Sequence, residues 1–139
     1  MNKPHLRTEF NGPTDELNYL SDMLRYCVLA CPHDKATFLN RFILLLNLMG
    51  SDNHSLQLQE HWVFYYELVG DISNAINHQL RAVFYVRELL ANGGAVGQVD
   101  YQYLVSSLEH LCRYYREMDD KVGAAGVAAE IVRIRKEYL

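Results

Sequence analysis

The sequence predicts an all-α protein of about six antiparallel helices arranged as three hairpins, and three observations predict it. Apolar residues recur at helical spacing, as in Leu58, Trp62, Tyr65, Tyr66 and Val69, with Gln57, Glu60, His61 and Glu67 on the opposite stripe. No stretch sustains the period-two alternation of a half-buried strand. Prolines occur only at positions 4, 13 and 32, so beyond Pro32 the helical pattern is broken only at junctions that carry glycine or aspartate.

The elements follow in order. A short arm, residues 1–13, precedes a first helix over 14–30, with Thr14 or Asp15 expected as its N-cap after Pro13. A second helix over 33–49 restarts at Pro32 and stops at Gly50-Ser51-Asp52. A third covers 55–69 and a fourth 72–90. Between them Gly70 supplies the left-handed C-terminal residue and Asp71 the next N-cap. Residues 92–97, Asn-Gly-Gly-Ala-Val-Gly, form the one long loop, and helices over 100–118 and 120–138 complete a single helical domain over 14–139. The hairpins are therefore about 14–50, 55–90 and 100–138.

Composition bounds the function. Half of the 139 residues are hydrophobic, enough for a core without disulfides or metals to staple it. The net charge is −4 and the cations are scattered, which argues against nucleic acid or an anionic membrane surface as partner. The longest apolar run, Phe42-Ile43-Leu44-Leu45-Leu46, is far short of the ~20 residues that span a bilayer. MNKPHLRTEF holds no apolar signal core, and three cysteines, an odd number, suit a reducing compartment, so the expectation is a cytoplasmic protein.

The chain also repeats itself. With Gln59 placed over Leu108 and no gap through Leu90 and Leu139, nine of thirty-two positions are identical, among them Glu60/Glu109, His61/His110, Tyr65/Tyr114, Tyr66/Tyr115, Asp71/Asp120 and Ala75/Ala124. Chance gives about two, so a helical hairpin recurs at an offset of 49. A fainter copy starts near Tyr26.

These residues resemble the tetratricopeptide repeat. Tyr66 fills its aromatic place, Gly70-Asp71 its turn, and Ala75 and Ala82 the crossing of the two helices, with Leu111, Tyr115, Asp120 and Ala124 in the final hairpin. The early Trp place holds Gln59 and Leu108, and the closing Pro is Arg87 or Lys136. The offset of 49 also exceeds the family's 34. The resemblance implies stacked hairpins in a right-handed superhelix whose first helices line a concave groove. Carried over by position, that face is Gln57, Glu60, His61, Phe64 and Glu67, then Ser106, Glu109, His110, Arg113 and Arg116. It implies a non-catalytic scaffold or adaptor that binds a protein or peptide and needs no cofactor.

The competing reading is a helical metal-binding protein or enzyme using Glu60, His61, Glu109 and His110. Carboxylate-histidine bundle sites, however, use Glu-x-x-His, whereas adjacent Glu and His diverge by about 100° around a helix. Cys27 and Cys31 with His33 lack the two-residue gap of zinc and redox sites and read as core-packing thiols. The paired tyrosines read as core filling, one of each pair toward the partner helix. No Gly-x-Ser-x-Gly elbow or phosphate-binding loop is present, so an enzyme is disfavoured. In the last helix Val127, Ile131, Ile134 and Tyr138 form a second apolar line about 100° from Ala124, Ala128 and Val132, which predicts a homodimer through that line.

Overall fold

A computed structural model describes residues 6–30, 34–51, 55–92 and 99–139, leaving aside the side chains of 28–30. Among them lie six helices and no strand: α1 Pro13–Ala30, α2 Lys35–Met49, α3 Leu56–Leu68, α4 Ile72–Ala91, α5 Tyr101–Glu117 and α6 Lys121–Tyr138. The fold is all-α as expected, and the helices agree with the sequence reading to within two residues at each end. Cys31, Pro32, His33, His54 and the glycine loop at 93–97 lie outside the described residues. The chain divides into two compact units, Met1–Asn53 and His54–Leu139.

In the first unit α1 packs on α2. Their apolar stripes bury Leu17, Leu20, Met23 and Leu24 on α1 and Phe42, Leu45 and Leu46 on α2. Arg41 grips the Glu16 carboxylate with two hydrogen bonds of 2.7 and 2.9 Å, which tie the middle of α2 to the start of α1. Pro13, not Thr14 or Asp15, opens α1; its fixed φ and missing N–H suit the first helical position. Asp15 is engaged instead by the arm, taking Arg7 at 2.6 and 3.1 Å and the Asn11 amide at 2.9 Å. Phe10 then lies against Tyr19 with ring centroids 5.2 Å apart. The arm is thereby fastened to α1.

In the second unit α3 packs on α4, α4 on α5, and α5 on α6. The turn between α3 and α4 shows how six residues reverse the chain. Gly70 takes φ +79°, its N–H reaches the Glu67 carbonyl at 3.2 Å, and the Asp71 N–H reaches the Tyr66 carbonyl at 2.9 Å. That pair of bonds satisfies carbonyls the helix end would leave unpaired. The Asp71 carboxylate next accepts the Asn74 amide at 3.2 Å and starts α4. Between α5 and α6 the same bonds recur 49 residues on: Asp119 to Arg116 at 3.0 Å, Asp120 to Tyr115 at 2.8 Å, and the Asp120 cap on the Gly123 amide at 2.9 Å. Here the left-handed place is filled by Asp119, φ +57°, instead of glycine.

Small residues sit where α4 packs on α3 and where α6 packs on α5. Ala75 is fully buried with Val63 and Tyr114, and Ala124 is covered closely enough for its carbonyl to accept the Cys112 thiol at 3.5 Å. Alanine at such a crossing lets helix axes approach to about 8–10 Å. Val83, Val86, Leu104, Val105, Leu108, Leu111, Ile131 and Ile134 form the common core of α4, α5 and α6.

Candidate functional site

Side chains link the first helices of the two hairpins, α3 and α5, at two places. The Tyr103 hydroxyl donates to Glu60 Oε2 at 2.6 Å, and the Tyr114 hydroxyl donates to Glu67 Oε2 at 2.7 Å while Arg113 donates to Glu67 Oε1 at 2.9 Å. Glu60 and Glu67 are seven apart, two turns along one face of α3. Tyr103 and Tyr114 are eleven apart, three turns along one face of α5. The two carboxylates and two phenols thus clamp α5 alongside α3.

Beside the Tyr103–Glu60 link opens a cleft of about 450 Å³, lined by Glu60 from α3, by Asp100 at the N-cap of α5 and by Tyr103, Ser106 and His110 from α5, with Gln102 and Ser107 completing the wall. Asp100 is held in place because its carboxylate caps α5, accepting the Tyr103 amide at 2.8 Å. Ser107 is fixed from behind: its carbonyl accepts the Gln79 amide of α4 at 2.8 Å, a buried contact.

Burial pushes the Glu60 carboxyl above the usual carboxylate range, against the Tyr103 hydrogen bond, which lowers it. Burial and the bond to a carboxylate both push the Tyr103 phenol up, and the same two causes act on Tyr114 beside Glu67. Both phenols therefore remain protonated donors. With two carboxylates, the hydroxyl-bearing Tyr103, Ser106 and Ser107 and an imidazole on its wall, the cleft is equipped to receive hydrogen-bond donors, above all cationic ones.

The expected binding face is brought together only in part. Glu60, Ser106 and His110 share the cleft, and Glu67 meets Arg113 a turn or more beyond it. Gln57 is exposed and Phe64 half-buried. Glu109 turns to α6 and takes Arg135 at 2.7 Å, and Arg116 lines a separate cleft with Asp119 and Lys121. His61 is corrected: it is buried, 9% exposed, and does not line the cleft. Neighbours on a helix diverge by about 100°, so the side of α3 that presents Glu60 turns His61 away. On α5 the choice is reversed, His110 facing the cleft and Glu109 leaving it. Glu60, His61, Glu109 and His110 accordingly do not converge, and among the described residues no three His, Cys, Asp or Glu side chains gather as metal ligands would.

The line expected to cover a second copy is corrected as well. Ile131 and Ile134 are 7% and 2% exposed, inside the core with Val83, Leu104 and Leu108, and Val127 packs against the same cluster. Only Tyr138 is half open, and it stacks on Tyr101 of α5 with centroids 3.9 Å apart. Burying an isoleucine is worth roughly 1.5–3 kcal/mol. This chain's own α4 and α5 supply that cover.

Sequence reasoning missed Tyr103, Asp100 and Gln102, although Tyr103, Ser106, His110 and Arg113 recur at steps of three, four and three and so share one face of α5. It also missed a buried polar contact behind α3. Gln59 is fully buried and meets His78 Nδ1 at 2.6 Å, and the His78 ring stacks with Trp62 and Tyr66 at 5.3 and 5.5 Å. Cys27 is a buried thiol, as expected of core packing, and Cys112 is buried too. No family model matches the chain, and neither the curated proteins nor the solved structures contain a match. Among the described residues no helix is long and apolar enough to cross a membrane.

Proposed function

We propose that this chain is a non-catalytic scaffold of tetratricopeptide-like hairpins that binds a protein or peptide along the first helices, α3 and α5. The observation that carries this reading is the cleft that joins Glu60 of one hairpin to Ser106 and His110 of the next. Grooves between the first helices of stacked hairpins are where such scaffolds present polar side chains to a ligand. The wall chemistry favours a segment that brings a lysine, an arginine or an amide to Glu60 and Asp100. The cytoplasm is the setting we assign, since the thiols of Cys27 and Cys112 stay reduced there.

A positional-scanning peptide library read by fluorescence anisotropy tests the proposal. The full chain is expected to prefer peptides with a basic residue at one position, and His110→Ala and Glu60→Gln to abolish that preference without changing helix content. Indifference to sequence, or a preference that both variants retain, would contradict it.

A further inference from the structure

The last helix repeats the fourth at an offset of 49, yet the face by which α4 receives α5 is open on α6. Val83 and Val132 are the same residue at the same place in the two copies. Val83 is 5% exposed, packed among α5 side chains, whereas Val132 is 65% exposed. Along the same line Ile76, Gln79 and Leu90 on α4 correspond to Ala125, Ala128 and Leu139, and Leu139 is 61% exposed. Ile76 and Leu90 pack against the α5 core, and Gln79 donates to the α5 backbone. On α6 Ala125, Val132 and Leu139 are exposed and Ala128 is half-buried. At the start of this face a cleft of about 350 Å³ opens between Arg116, Asp119 and Lys121 on one side and Ala124, Ala125 and Ala128 on the other.

Charge states what would fill it. In the occupied groove Glu67 of α3 receives Arg113 and Tyr114 of α5. The counterpart of Glu67 in the open groove is Arg116, so the sign is inverted at that place, while the counterpart of Glu60 is Glu109, already engaged by Arg135. On α6 itself Lys121 and Lys136 lie toward the open face and Arg135 is paired with Glu109 of α5 at 2.7 Å, while Glu130 and Glu137 lie on the far side, engaged with Arg87 and Arg133. A second copy presenting its own α6 would set Lys121 and Lys136 against an identical pair.

We propose that the groove between α5 and α6 is a docking site for an amphipathic helix of another protein, one with an apolar stripe at three- and four-residue spacing and a carboxylate opposite Arg116. The small side chains of Ala125 and Ala128 give such a helix close approach, and Val132 and Leu139 give it apolar area. This site is separate from the α3–α5 cleft and stands whether or not that cleft binds a peptide.

The natural occupant of the equivalent groove supplies the probe. A fluorescein-labelled peptide with the α5 sequence, residues 100–117, carrying Arg113→Glu places an acid where Arg116 waits; the unaltered peptide places a cation there. The full chain is expected to bind the Arg113→Glu peptide roughly tenfold more tightly, as close interfacial charge pairs allow. Arg116→Glu should reverse the preference, and Val132→Glu, at an exposed position, should abolish binding while circular dichroism stays unchanged. Equal binding of both peptides, or no binding, overturns the proposal. So does light scattering that finds a stable dimer which Val132→Glu splits, since the face would then belong to a second copy.

Discussion

Tyr103 on α5 and Glu60 on α3 share a 2.6 Å hydrogen bond at the edge of the cleft, and burial holds the Glu60 carboxyl above its ordinary range. A carboxyl whose pKa is raised in the fold favours the protonated folded state. It adds stability below its unfolded pKa, and that contribution is lost as pH rises through the folded pKa. Glu60→Gln keeps an acceptor for Tyr103 and removes the ionisation. The variant should melt no lower than the wild type at pH 7, and its stability should fall less as pH rises across the acidic range. A lower melting temperature at pH 7 than the wild type would show that the ionised carboxylate is needed.

The two turns offer a paired test, since Gly70 and Asp119 occupy equivalent places at φ +79° and +57°. A Cβ in the left-handed region costs roughly 1–2 kcal/mol, less for aspartate. Gly70→Val should therefore lower stability by about 1–2 kcal/mol or more, and Asp119→Gly should leave it unchanged or raise it by up to about 1 kcal/mol. Urea denaturation of both variants checks the pair. Unequal behaviour in the opposite sense would mean that the turns are not equivalent.

The two histidines of the duplicated pair should separate cleanly. His61 is buried and His110 is exposed on the cleft wall. His61→Ala is expected to cost about 1–3 kcal/mol, in the range for a buried side chain that loses its packing and polar contacts. His110→Ala should stay within about 0.5 kcal/mol of the wild type. Thermal melts of the single variants distinguish them. Equal melting temperatures would place both rings in solvent.

Ile131→Glu tests the core of the last hairpin. At 7% exposure the new carboxylate has neither water nor a partner, so a loss above about 3 kcal/mol or failure to fold is expected. A folded Ile131→Glu variant with wild-type stability would return that residue to the surface.

The helices and turns were legible because the signals are local. Gly70-Asp71 and Asp119-Asp120 stop one helix and cap the next within a few residues, and the hydrogen bonds that do so are the ones the residue types allow. Sidedness was less legible. The spacing of Val127, Ile131 and Ile134 shows that they share a face of α6, but which of two apolar lines receives a neighbour depends on where α4 and α5 pass. Those helices cover Ile131 and leave Val132 open. His61 was misplaced for the same reason, since an angle around α3 does not say which side meets α5. Tyr103 was absent from the expected face because tyrosine reads first as core filler. Its role appears only when Glu60, 43 residues away, comes within reach.

The central claim is that ligand meets this protein on the α3–α5 face. Backbone amide NMR shifts of the full chain, followed as it is titrated with the tightest peptide from the library, test that most directly. The largest changes should cluster at Glu60, Tyr103, Ser106 and His110 and fade along α4. Changes centred on α1 and α2, or on the exposed Leu80 and Phe84 of α4, with those four residues unmoved, would contradict it.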